Sequence, residues 1–70
     1  MEYIFTTHAE YRIEKRKLTK EEVIEAIKYP DKTLKKHEKY YAQKNIGNGT
    51  IEVVHERTEK YIKIITVYWL

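Results

Sequence analysis

Residues 40–69 read YYAQKNIGNGTIEVVHERTEKYIKIITVYW, and this stretch decides the fold. Its β-branched and aromatic residues fall into three runs, 40–46, 50–57 and 61–69, each suited to a strand. Gly47-Asn48-Gly49 separates the first two runs. Asn-Gly tolerates positive φ, so this is a tight hairpin signal. Thr58-Glu59-Lys60 supplies the second turn. Strands joined by such short turns form an antiparallel meander.

Reading outward toward the N-terminus, residues 32–37 suit an edge strand, and then the period changes. The ring of Pro30 disfavours helix at Tyr29, so Tyr29-Pro30-Asp31 ends a preceding helix. Thr19 with Glu22 reads as a capping box that starts a helix over 20–29. Val23, Ile24, Ala26 and Ile27 gather on one face of it. Thr7 with Glu10 repeats the capping pattern for a helix over 8–16, whose apolar stripe is Ala9 and Ile13, with Leu18 beyond its end. Lys17-Leu18-Thr19 joins the two as an αα-hairpin. Residues 3–6, Tyr-Ile-Phe-Thr, suit a first strand. The expectation is therefore one α+β domain over residues 1–70. Its order is β-α-α-β-β-β-β, with a curved antiparallel sheet packed against a two-helix hairpin.

Seventy residues hold one core and no second domain. Hydrophobics at 41% and charges at 36% are globular proportions. The absence of cysteine excludes disulfides, a thiol nucleophile and thiolate zinc sites. No apolar run reaches the ~20 residues that span a bilayer, and no membrane partner is expected. Met1-Glu2-Tyr3 lacks a basic-then-apolar leader, so the cytoplasm is the expected location. Abundant Lys, Glu, Ile and Tyr with a single Gln also resembles a heat-adapted composition.

The net charge of +3 is unevenly placed. Residues 1–30 balance six Lys/Arg against six Glu, and residues 45–70 balance three against three. The excess lies in residues 32–44, where Lys32, Lys35, Lys36, Lys39 and Lys44 face only Glu38. A local basic stretch is the electrostatic footprint of a polyanion partner, RNA included. Lysines on an edge strand also discourage aggregation, the plainer account of the same residues. Tyr40, beside these lysines, suits stacking on an unpaired base.

His8, Arg12 and Arg16 follow at i, i+4, i+8 and so line one ridge of the first helix, next to its apolar stripe. His8, His37 and His55 lack ligand spacing, so no metal is expected, and no cofactor either. Two glycines in a hairpin do not make a phosphate loop, and no serine is present for a Ser-His-Asp triad. Metal-free RNA cleavage fits these residue types, because the substrate's 2′-hydroxyl is the nucleophile. The protein then needs acid–base groups and fixed positive charge. Histidine and arginine at one helix start provide both.

His8-Ala9-x-x-Arg12-Ile13-x-x-Arg16-x-Leu18, followed by Glu22-Val23-x-x-Ala26-Ile27-x-x-Pro30, resembles a small family of prokaryotic domains of unknown function. That family closes on a strand similar to Ile64-Ile65-Thr66-Val67-Tyr68 and is grouped with RelE-like and barnase-like toxins. The resemblance implies a RelE-like fold and a metal-independent ribonuclease neutralised by a cognate antitoxin. By position it implies His8 as acid or base, Arg12 and Arg16 as phosphate clamps, and Thr66 as a hydrogen-bond donor. His55, from the neighbouring strand rather than the motif, is a second acid–base candidate. The alternatives are a non-catalytic RNA- or protein-binding module and a homodimeric interaction domain.

Overall fold

The computed structural model describes residues 1–70. The elements are β1 (Glu2–Phe5), α1 (Thr7–Lys15), α2 (Lys20–Lys28), β2 (Lys32–Lys36), β3 (Lys39–Asn45), β4 (Thr50–Arg57) and β5 (Tyr61–Trp69). The order is the expected one, and the boundaries agree within two residues. The sheet order is β1-β5-β4-β3-β2. β2 to β5 form the antiparallel meander.

The sheet is not wholly antiparallel. β1 pairs with β5 in parallel, Glu2 opposite Tyr61 through Phe5 opposite Ile64. The chain leaves β1 through the helical hairpin and only then builds the meander. Its last strand runs back beside β1 in the same direction, and parallel neighbours require such a long connection.

Both helices pack on one face of this sheet, α1 against β5 and β1, α2 against β3 and β4. Ala9, Ile13, Leu18, Val23, Ala26 and Ile27 close the core from the helix side. Ile51, Val53, Ile62, Ile64 and Val67 meet them from β4 and β5. Ile24, at the border of the α2 stripe, is only half-buried.

The two helix starts behave differently. At α2 the expected capping box forms: Glu22 N donates to Thr19 Oγ1 at 3.1 Å, and Thr19 N to Glu22 Oε1 at 2.9 Å. At α1 the cap is Thr6, not Thr7, and no box forms. Thr6 Oγ1 accepts from Ala9 N at 3.0 Å and itself donates to Ile65 O at 3.2 Å. One hydroxyl thus serves the helix start and the edge of β5, which the exposed Thr7 does not.

That edge explains how α1 is seated. β1 covers β5 only through Ile64, and beyond it Ile65 is an extra residue between the Ile64–His55 and Thr66–Val54 pairs. The carbonyls past β1 then find partners from the α1 region. Thr6 Oγ1 takes Ile65 O, and Arg16 Nε donates to Val67 O at 3.2 Å. Trp69 Nε1 returns a bond to Arg16 O at 3.4 Å. Arg16, expected to grip phosphate, spends its Nε proton on this edge.

Two turns complete the meander. His37 and Glu38 join β2 to β3 with φ of 51° and 63°, so two non-glycine residues hold a left-handed turn where a longer strand was expected. Gly49 has φ of +150°, and a Cβ there would lie 2.9 Å from the Trp69 ring, so the β4 start admits only glycine without a shift.

Candidate functional site

Residues opposite one another on paired strands share a face of the sheet. Ala42, Val53 and Val67 are cross-strand partners and point to the helices. The residues that alternate with them face the other way, onto a side that no helix covers. Thr66, Val54, Tyr41 and Leu34 form one row across that open face. Tyr68, Glu52, Gln43 and Lys32 form the next.

His8 reaches the first row. Its Nε2 lies 3.1 Å from Thr66 Oγ1. Arg12 Nε donates to the same Nε2 at 3.5 Å, one turn further along α1. Because the guanidinium only donates, Nε2 is the accepting nitrogen of this contact, and the Thr66 hydroxyl donates to the same atom. The residue is exposed, with Nε2 turned toward Thr66 on the sheet. His8, Arg12 and Thr66 are thus brought together, with Arg16 on the same helix turned to the β5 edge.

The second row holds an acid that sequence reasoning passed over. Glu52 is 8% exposed although no helix lies above it. Gln43 Nε2 donates to Glu52 Oε2 at 2.8 Å, and the Tyr68 hydroxyl donates to Glu52 Oε1. Burial pushes the Tyr68 hydroxyl up to about 12, helped by its bond to Glu52 and the charges of Glu52 and Tyr41. Tyr68 therefore remains a proton-bearing donor at neutral pH. A signal was present: Glu52 interrupts the apolar run Ile51-Glu52-Val53-Val54. A lone acid there needs buried partners.

His55 is elsewhere. It stands on the helix side, with no solvent exposure, opposite Tyr40 and Ile64. Its ring stacks on Tyr40 with centroids 5.6 Å apart and planes 18° from parallel. Burial holds His55 down to about 4; a bond to Val53 O opposes this, and the Arg57 charge adds to it. The sheet separates it from His8 and Thr66, so the two histidines do not share a site.

The basic stretch is divided as well. Lys32, Lys36 and Lys39 stand on the open face, where Lys39 lies 3.9 Å from Glu56. Lys35 and Lys44 stand on the helix side. There Lys44 Nζ donates to Tyr29 O at 2.9 Å. Tyr40 belongs to that side too, so the tyrosines of the open face are Tyr41, Tyr61 and Tyr68. None of the surface clefts is lined by His8, Arg12 or Thr66, so the site is an open platform. Nowhere do three or more His, Asp or Glu side chains gather as metal ligands. No helix is long and apolar enough to cross a membrane.

The fold and site define a small α+β domain whose mixed five-stranded sheet is covered by two helices on one face. It presents a His–Arg–Thr group at the rim of the other. The chain belongs to the family described as Domain of unknown function (DUF4258), which matches residues 5–69. Among curated proteins and among solved structures, nothing matches the chain.

Proposed function

We propose that this domain is a RelE-like, RNA-directed protein that cleaves RNA without a metal ion, using the open sheet face as its platform. The observation that carries the reading is the contact of His8 Nε2 with Thr66 Oγ1, beside the Arg12 guanidinium. An exposed imidazole, a hydroxyl and a fixed positive charge meet there, above a face bearing three tyrosines. In this reading the ribose 2′-hydroxyl displaces the Thr66 hydroxyl and the Arg12 guanidinium from His8 Nε2, which takes its proton, so that both displaced donors turn to the phosphate. The 2′-oxygen bonds to the adjacent phosphorus, the bond to the 5′-oxygen breaks, and that oxygen takes a proton from water. Arg12 and Thr66 offset the charge gathering on the phosphate oxygens. Tyr41 supports an unpaired base, and Lys32, Lys36 and Lys39 hold the strand. A cognate antitoxin that covers this face is the protein partner the reading implies.

Product analysis tests it. Single-stranded RNA incubated with the protein in EDTA should yield 2′,3′-cyclic phosphate and 5′-hydroxyl ends. A strand with 2′-deoxyribose at the cleavage position should stay intact there while still binding. Cleavage at the deoxy position overturns the mechanism. Binding of RNA without any product favours a non-catalytic RNA-binding module, which the open, pocket-free form of the site also suits.

A further inference from the structure

On the helix side of the sheet, remote from His8, a second group of side chains is arranged with unusual economy. Arg57 Nε donates to His55 Nε2 at 3.2 Å. The guanidinium lies over Tyr40, 4.1 Å from the ring centroid. Lys35 Nζ lies 5.4 Å from the same ring. His55 has no exposure, and its Nδ1 is 3.4 Å from Val53 O. That bond places the ring proton on Nδ1 and leaves Nε2 to accept from Arg57. The buried histidine therefore fixes the arginine's orientation and takes only its Nε proton. The two terminal amino groups bond to nothing else in the chain.

Arg57 is exposed and unpaired, and so are Lys28 and Lys35. It forms the shared wall of two neighbouring clefts. One is lined by Lys35, Glu38, Tyr40, Glu56 and Thr58, the other by Tyr3, Ile27, Lys28 and Ile62 among others. In the first cleft Glu56 lies 3.9 Å from Lys39 of the opposite face, leaving Glu38 against Arg57 and Lys35, and the second cleft, with Arg57 and Lys28, has no carboxylate in its lining. A planar fork held flat, with its paired donors free and a cation on each side, matches the oxygens of a phosphate group. Base stacking is not the use of Tyr40, since its ring already meets an imidazole, a guanidinium and an ammonium.

We infer that Arg57, flanked by Lys28 and Lys35 and oriented by His55, is a phosphate-binding site on the helix side of the sheet. It is independent of the cleavage reading, because it lies on the other face and uses none of the same residues. Its ligand is a phosphate group, whether from a nucleic-acid backbone or a free phosphate ion.

The experiment is a nuclear magnetic resonance titration of the full chain, following the Arg57 Nε–Hε signal, with inorganic phosphate and with a six-residue single-stranded RNA. Both probes should move that signal. Arg57→Gln should weaken binding by about tenfold and reduce the salt slope for the RNA by about one. Arg57→Lys should fail to restore it, since the fork is lost. His55→Phe keeps the stacked ring, removes the acceptor, and should weaken phosphate binding with Arg57 still in place. Lys17→Gln, on the exposed helix junction, should leave affinity unchanged. RNA binding far tighter than phosphate assigns the site to a backbone, and equal binding assigns it to free phosphate. An unmoved Arg57 signal, or Arg57→Gln binding as tightly as the parent, overturns the site. If His55→Phe does not fold, the surface Arg57 variants still decide the matter.

Discussion

At the scale of single residues, His55 carries the largest perturbation. Its imidazole has no water contact and is held down to about 4 in the folded chain. Free histidine titrates near 6.5, so between these values the unfolded chain binds more protons than the folded one. Stability from this group is thus complete above about 6.5 and is lost as pH falls toward about 4, amounting to on the order of 3 kcal/mol. Thermal unfolding between pH 7 and pH 4 should show this slope, and His55→Phe should remove the part that His55 supplies. An identical slope in the variant contradicts the assignment. The sequence exposes His55 only as a histidine after Val53 in alternation. Its face depends on the β3–β4 register, which pairs it with Tyr40. The same register turns Tyr40 away from the open face and Tyr41 toward it, a choice two adjacent tyrosines do not settle by themselves.

At the scale of elements, α1 is held by its contacts with β5 more than by its own sequence. Its stripe buries only Ala9 and Ile13, and its cap is shared with the sheet edge. Thr6→Ala removes the bond to Ala9 N and leaves Ile65 O without that donor. A loss of about 1–2 kcal/mol follows from the cap alone. Chemical denaturation should show it, with faster hydrogen exchange in α1. Thr7→Ala should cost much less, and the reverse ranking would contradict the seating of α1. Elements with local signals were legible: Thr19-Glu22 and Pro30 bracket α2, and Gly47-Asn48-Gly49 marks the β3–β4 turn. The β2–β3 turn was not, because His37 and Glu38 adopt positive φ without glycine or asparagine.

At the scale of the whole molecule, the feature hidden from the sequence is the placement of β1 beside β5. This pairing joins residues 2–5 to residues 61–64, and no local pattern specifies a partner so distant. It determines the site nonetheless. Because β1 stops at Phe5, the rest of β5 is left for α1, and α1 then delivers His8 and Arg12 to the rim beside Thr66. The ridge His8, Arg12 and Arg16 was legible as a helical spacing. Its division, two residues toward the open face and Arg16 to the β5 edge, follows from the docking of α1. Glu52 and Tyr68 joined the site only once the register placed them in the row next to Thr66.

The most direct test of the central claim is the cleavage rate of a fluorophore- and quencher-labelled single-stranded RNA in EDTA, for the parent chain and for His8→Ala. The parent should turn the RNA over, and the variant should be slower by about 100-fold or more with its unfolding temperature kept. Equal rates for the two chains, or no cleavage by either, would contradict it.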